Sequence, residues 1–217
     1  MKFGIQFRNP IPVEERTVMF AIDLSDGHEY KIINNANEFP SGYIPVGTVE
    51  FVEKCFRAFT PEYYPEFLHE HLHRKIWKTD EWPQQKGLFV KPAHRYKAWD
   101  GKLTTGGYRG KKKGPYWVSE QVKFMSEFRY YVANGEVLFG EWYDGEIEKD
   151  APSIDFVEFP SDYCGAVDFG ELDNGKLALV EANHPYAVGW YGGCNNAVCR
   201  IYLDFLIKGY EYMLKLK

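Results

Sequence analysis

Asp168, Glu181 and Asn183 stand at a spacing that can gather oxygen ligands, the second following the first by thirteen residues. The run Lys176-Leu177-Ala178-Leu179-Val180-Glu181 reads as a strand, with Ala166-Val167-Asp168-Phe169 as its hairpin partner. Asp173-Asn174-Gly175 between them is a turn signal, since Asn and Gly accept the positive φ a tight connection needs. Side chains alternate along a strand, so Glu181 and Asn183 share a face that Asp168 can meet from the neighbouring strand. Two carboxylates and an amide oxygen converging there suit a hard cation such as Mg²⁺. The same residues also suit an ordinary solvent-exposed hairpin. What the rest of the chain brings to them decides between the two.

Several other stretches carry candidate chemistry. Lys91 ends the apolar run Leu88-Phe89-Val90 immediately before Pro92, which delivers its ammonium at a fixed point. The segment from Asp100 to Gly114 sets Gly106, Gly107, Gly110 and Gly114 among Arg109, Lys111, Lys112 and Lys113. Glycines let backbone N–H groups approach phosphates and the cations add attraction, although no Walker motif is present. A solvated basic turn has the same composition. Further on, Glu127 and Arg129 lie two residues apart and share a strand face, as a surface pair would.

Two lookalikes compete. Lys97-Ala98-Trp99-Asp100-Gly101 approximates the K-x-D-G motif at which nucleic-acid ligases are adenylylated, with one residue too many. His69-Glu70-His71-Leu72-His73 could bring His69 and His73 to one helix face, as zinc sites do, but no third ligand is evident. Structural histidines account for it better.

The elements that must position these residues follow from periodicity. Met1 to Phe7, Thr17 to Leu24 and His28 to Ile33 read as strands; Val49 to Phe59 and Pro65 to His73 read as helices. From Leu88 onward the pattern is strands and glycine-rich connections: Tyr116 to Val122, Phe128 to Ala133 and Glu136 to Tyr143, with Asn134-Gly135 as a hairpin turn. Ala197 to Leu216 is a helix with an apolar stripe of Val198, Ile201, Tyr202, Phe205, Leu206 and Tyr210. This is an α+β arrangement of antiparallel sheets with flanking helices and a small N-terminal α/β portion. We expect a division into residues 1–85 and 86–217, the second carrying the nucleotide and metal groups.

Composition narrows the class. A chain of 217 residues, 45% hydrophobic and 18% aromatic, builds a sizeable core. The net charge of -5 argues against a general nucleic-acid binder, and no apolar run is long enough for a membrane span. The four cysteines, Cys55, Cys164, Cys194 and Cys199, lack zinc spacing, and a disulfide framework is not expected at this size. The amino terminus has no signal-peptide character, so a cytoplasmic location is expected.

The order of these motifs resembles the ATP-grasp superfamily. The matching pieces are Phe89-Val90-Lys91-Pro92, the glycine-rich loop, Glu120-Gln121-Val122, Glu127, Asp168 and Glu181-Ala182-Asn183. More narrowly, Pro45-Val46-Gly47-Thr48-Val49-Glu50-Phe51, Lys91-Pro92 and Ser126-Glu127-Phe128-Arg129 resemble the clade named for one arginine and two lysines, found largely in bacteria and their phages. The likeness covers roughly residues 40 to 207; the first forty residues match nothing recognisable.

The resemblance implies roles residue by residue. Lys91 would reach the nucleotide phosphates, with Lys97 as the second lysine. The backbone of Glu120, Gln121 and Val122 would meet adenine, and Glu127 would hold the ribose hydroxyls. Arg129 would stabilise the transferring phosphoryl group, with Lys97 beside it in catalysis. Asp168, Glu181 and Asn183 would hold Mg²⁺ against ATP. Arg74, Lys75 and Lys78 are candidates for the upstream cation of larger relatives, and Pro185 to Gly193 for a substrate loop. The implied activity is ATP-dependent joining of a carboxylate to an amine through an acyl-phosphate with release of ADP, on a small molecule, a peptide or a protein. Two alternatives remain: a nucleotide-binding interaction module without turnover, and an adenylylating nucleic-acid ligase built on Lys97.

Overall fold

The computed structural model describes residues 1–106, 113–193 and 195–216. Three small units follow one another along the chain. The first is a parallel sheet of β1 (Lys2–Gln6), β2 (Glu29–Ile33) and β3 (Ile44–Val46) in the order β2-β1-β3. Helix α1 (Val13–Asp23) makes the crossover between β1 and β2. Parallel neighbours need such a connection, because a hairpin cannot reverse the chain twice.

This corrects the strand expected from Thr17 to Leu24. The β-branched and aromatic residues of Thr17-Val18-Met19-Phe20 favour a strand locally. The buried set Glu15, Thr17, Val18, Ala21 and Ile22 instead follows helical spacing. The start signals, Pro12 followed by Glu14 and Glu15 in the first turn, were there to be read.

After α2 (Val49–Cys55), capped where Phe51 N donates to Thr48 Oγ1 at 3.2 Å, the chain makes a short 3-10 helix, Glu66–His71. Both are shorter than the helices expected to Phe59 and His73. The second unit is an antiparallel sheet of β4 (Ile76–Thr79), β5 (Leu88–Pro92), β6 (Lys102–Leu103) and β7 (Tyr116–Glu120), ordered β4-β7-β5-β6. β4 lies on the N-terminal side of residue 86 but pairs with β7 beyond it.

The third unit is a longer antiparallel sheet of β8 (Phe124–Ala133), β9 (Glu136–Gly145), β10 (Gly165–Leu172) and β11 (Leu177–Asn183), ordered β11-β10-β8-β9. β8 begins four residues earlier than expected, so only Gln121, Val122 and Lys123 separate it from β7. Helix α3 (Asn196–Lys215) closes the chain, its first N–H groups accepted by the Asn195 side chain. Its buried face runs through Cys199, Tyr202, Leu203, Phe205, Leu206, Gly209 and Met213, turned slightly from the expected stripe. That face packs with Phe3, Ile5, Val18, Ile22, Tyr131 and Trp190, which ties the parallel sheet and α1 to the long sheet. Burying large apolar side chains of this kind is worth ~1.5–3 kcal/mol each.

Candidate functional site

A cleft of about 830 Å³ lies between the two antiparallel sheets. β5 supplies Lys91, β8 supplies Glu127 and Arg129, and β11 supplies Glu181 and Asn183. The end of β7 and the connection after it add Glu120, Gln121 and Val122. Residues far apart in sequence thus meet because two sheets face each other, the long sheet offering every second residue of each strand.

The hairpin of β10 and β11 is built as its alternation implies. Asp168 pairs with Glu181 in register and with Arg129 on the other side. Asn183 Nδ2 donates to Glu181 Oε1 at 2.9 Å, so those two side chains share a face. Immediately beyond, Phe169 pairs with Leu179, which leaves Val180 as the extra residue of a β-bulge. Bulges break the ladder and re-aim side chains, and they recur beside functional sites. Arg74 donates to the carbonyl oxygens of Leu179, at 2.5 Å, and Val180, at 3.2 Å, which pins the bulge in place.

The acidic residues are already paired with cations. Lys91 Nζ donates to Glu181 Oε2. Arg129 makes a two-pronged contact with Asp168, Nε to Oδ1 at 2.8 Å and Nη2 to Oδ2 at 2.6 Å. Planar fork-to-fork pairing of this kind is the strong form of the interaction. Asp168 is only 1% exposed and lies behind Arg129, whereas Glu181 and Asn183 reach the cleft wall directly.

Burial and charge pull these groups in opposite directions. Burial raises the Glu181 carboxyl, but Lys91 and Asn183 outweigh it and hold it below the ordinary range. Burial lowers the Lys91 ammonium, and Glu181 with Tyr64 and Tyr63 more than restores it, so Lys91 stays charged. Burial likewise opposes the charge on Arg129, and Asp168 keeps it firmly protonated. Glu127 goes the other way: burial pushes its carboxyl up, the Tyr143 hydroxyl opposes this with a 2.6 Å bond, and neighbouring carboxylates add to the rise.

Aromatic rings complete the walls, and sequence reasoning missed most of them. Lys91 Nζ lies 3.9 Å from the Tyr63 ring centre and 5.7 Å from Tyr64. Arg129 lies 5.2 Å from Tyr143 and 5.3 Å from Tyr191, and those two rings stack at 5.2 Å. A cation over a ring face is stabilised by about 0.5–2 kcal/mol, more when desolvated. The only advance signal was the position of Tyr191 in the candidate substrate loop.

At the connection end, Glu120 Oε2 accepts from Lys75 N at 2.9 Å, fixing the start of β4 against the end of β7. Of the three candidate upstream cations, Arg74 lines the cleft; Lys75 and Lys78 lie over Trp77 and Trp117. Phe124 also lines this end, under the Arg74 guanidinium. It can do so because residue 170 on β10 is glycine, where a Cβ would fall 2.2 Å from Phe124 Cδ1. Gly170→Ala is therefore expected to destabilise the protein by about 1–3 kcal/mol through overpacking, read as a lower denaturation midpoint.

The remaining candidates separate cleanly. Lys97 is exposed at the cleft edge with φ 49, a left-handed conformation uncommon outside glycine. Gly107, Arg109, Gly110, Lys111 and Lys112 of the basic loop lie outside the described residues, as does Cys194. Of the histidine triplet, His69 and His71 fall in the 3-10 helix instead of an α-helix, and His73 lies beyond its end with φ 48: the His69 ring bonds to Tyr64 O at 3.0 Å, and His71 packs on Phe156 and Phe169.

As a metal site, the cleft wall offers the Glu181 carboxylate and the Asn183 amide, with the Asp168 carboxylate behind Arg129. Among the described residues no group of three or more His, Cys, Asp or Glu side chains is gathered to hold a metal. The hard-oxygen character of Asp168, Glu181 and Asn183 fits Mg²⁺, and a carboxylate has lone pairs to share between a cation side chain and a metal.

The model of the family described as "ATP-grasp domain, R2K clade family 2" matches residues 71–201, more than half of the chain. The chain belongs to the R2K clade of ATP-grasp domains. Solved structures agree on the fold. A RimK domain ATP-grasp protein from Sphaerobacter thermophilus DSM 20745 superposes with a TM-score of 0.58 at 14% identity, over 95% of this chain and 100% of that one. The ATP-grasp ligase PsnB, solved with its minimal precursor, gives 0.54 at 12% identity, over 96% of this chain and 100% of that one. PsnB with a phosphomimetic variant of the minimal precursor, Mg and ADP gives 0.51 at 10% identity, over 95% and 96%. At such identities the likeness is one of fold. No curated relative matches this R2K-clade chain in sequence. Its antiparallel sheets with flanking helices are the ATP-grasp arrangement expected from the motif order. Among the described residues no helix is long and apolar enough to cross a membrane.

Proposed function

We propose that this protein is an ATP-dependent ligase that joins a carboxylate to an amine, with release of ADP. The observation that carries the reading is the pair of cation–carboxylate contacts, Lys91–Glu181 and Arg129–Asp168, set at one cleft in an ATP-grasp domain. Such a site holds both signs of charge ready, cations for a triphosphate and oxygen donors for the metal that accompanies it. The solved PsnB complex with Mg, ADP and a phosphomimetic variant of its minimal precursor supports the same nucleotide and metal here.

The roles assigned in this reading are those the family resemblance implies, and the placement of the side chains is compatible with them. Lys91 and Arg74 meet the phosphates, and Glu120, Gln121 and Val122 meet adenine. Glu127, oriented by Tyr143, holds the ribose. Lys97 is the second lysine at the cleft edge, and Arg129 faces the transferring phosphoryl group. Glu181 and Asn183, with Asp168 behind Arg129, hold Mg²⁺, which when bound would neutralise phosphate charge and fix the reacting oxygens in line. The division into residues 1–85 and 86–217 belongs to the same proposal, with Arg74 contributed from the first part.

The chemistry asks little of the protein beyond placement and charge. A substrate carboxylate oxygen bonds to the γ-phosphorus as the bond to ADP breaks, giving an acyl-phosphate. The amine nitrogen then bonds to the acyl carbon, phosphate departs, and the amine proton passes to solvent. Two anions must approach in the first half, so Lys91 and Arg129 lower the barrier by meeting charge as it develops. No protein nucleophile is needed.

The test is a screen of amino acids, peptides and small carboxylates for ADP release with mass spectrometry of the product. ADP and phosphate formed only with a carboxylate and an amine together support ligation; AMP and an adenylate on Lys97 overturn it. A second outcome concerns Glu127. Because its carboxyl protonates above the ~4.3 of an exposed glutamate, ATP affinity is expected to weaken earlier on acidification. Glu127→Gln should remove that pH-dependent component, which calorimetry across pH 4 to 8 reads.

A further inference from the structure

A second cavity, of about 430 Å³, adjoins the first. It lies between α1, the start of α2, the Arg95–Ala98 segment and the Pro185–Gly189 loop. The two share a wall, because Glu14, Tyr96, Lys97, Ala187 and Gly189 line both. Its volume falls within the ~300–1,000 Å³ of small-molecule sites.

Of its charged residues Glu50 and Lys97 are exposed, and the others divide into fixed and available groups. Arg8 is held by Glu15, which is 1% exposed, through Nε at 3.0 Å and Nη2 at 3.2 Å. Arg95 is held by Glu53 through Nε at 3.0 Å and Nη2 at 2.8 Å. A guanidinium has five N–H donors, so each arginine is anchored on one edge and keeps donors for a second acceptor. Glu14 is different. It is half-buried on the shared wall, and among the described residues no lysine, arginine or histidine forms an ion pair with it. Its Oε1 is placed from the side: Trp190 N approaches it at 3.4 Å, and a Cβ on Gly189 would fall 3.2 Å from it.

An unpaired carboxylate at the opening toward the first cleft, with anchored guanidinium groups in the same cavity, is complementary to a zwitterion. We propose that this second cavity binds a free α-amino acid as the amine substrate, its ammonium on Glu14 and its carboxylate on the anchored guanidinium groups, Arg8 first. The inference rests on the ligase reading, since it names the amine partner of that reaction. It also gives the placement a purpose. The nucleophile enters at the wall that opens onto the phosphates, while its own carboxylate is kept away from them.

The test is calorimetric titration of the full chain, with Mg²⁺ and a non-hydrolysable ATP analogue present, against each of the twenty amino acids. At least one amino acid is expected to bind saturably. Its decarboxylated amine and its N-acetyl derivative are each expected to bind at least ten-fold more weakly, which reads both ends of the ligand without altering the protein. Glu14→Gln, nearly isosteric, is expected to weaken the amino acid ten-fold or more with an unchanged far-UV circular dichroism spectrum. Failure of all twenty amino acids to bind, or equal binding of the N-acetyl or decarboxylated forms, overturns the proposal. Binding of the ATP analogue is measured in the same cell. Its absence counts against the ligase reading, whereas its presence without amino-acid binding counts against this inference alone.

Discussion

Arg129→Met is expected to lower the unfolding free energy by about 3–5 kcal/mol, the cost of leaving one member of a buried ion pair unmatched. Asp168 makes this effect large, being 1% exposed with both oxygens committed to the Arg129 guanidinium. Removing the cation strands a carboxylate that water cannot reach. Asp168→Asn should be destabilising for the mirror reason, and the double variant should recover much of the loss, because neither partner then carries an unmatched charge. Urea unfolding of the four proteins gives the coupling energy directly. Turnover separates the structural and catalytic contributions: the double variant regains stability but not ADP release. Additive losses, or an Arg129→Met protein within about 1 kcal/mol of the parent, would mean that the pair is not tightly coupled.

Glu181→Gln is expected to reduce ADP release by about 10²–10³-fold, the loss typical of removing one group that meets transition-state charge. The substitution keeps the shape of the side chain and the partner of Asn183 but removes the negative charge from Lys91. Activity measured against increasing Mg²⁺ tests the assignment. A parent-like magnesium curve in Glu181→Gln would end the role of this residue as a metal ligand. Stability carries a second signature. The Glu181 carboxyl is held below its unfolded value, so its contribution is present above ~pH 4.3 and is lost as pH falls through the folded value. The acid limb of the stability profile should be shallower in the glutamine variant.

The hairpin from Gly165 to Asn183 was legible because alternation, the turn residues and the strand lengths all agree. Its partners were not. Arg129 is thirty-nine residues from Asp168 and Lys91 is ninety from Glu181, and strand register that brings such residues together leaves no local trace. Glu127 and Arg129 looked like a surface pair by spacing, yet each is bound to a different partner across the sheet. Helix α1 was not legible because Thr17, Val18 and Phe20 in its middle favour a strand locally, and packing against α3 overrides that preference. The second cavity was invisible for the reason that hid the pairs: its lining runs from Arg8 to Leu206, assembled only when α1, α2 and the Pro185–Gly189 loop meet.

If the site takes ATP and Mg²⁺ as proposed, the two cation–carboxylate contacts also constrain how those ligands influence one another. While Lys91 and Arg129 rest on Glu181 and Asp168, each charged group acts as a counterion for another. A metal ion entering alone must compete with two side-chain cations for its oxygens, and a triphosphate entering alone must draw those cations from their carboxylates. Arriving together, each frees what the other requires. Metal and nucleotide should therefore bind with positive cooperativity, and by linkage the factor by which magnesium tightens ATP equals the factor by which ATP tightens magnesium. The paired side chains are in effect an electrostatic latch, opened by the two ligands together and held against either one.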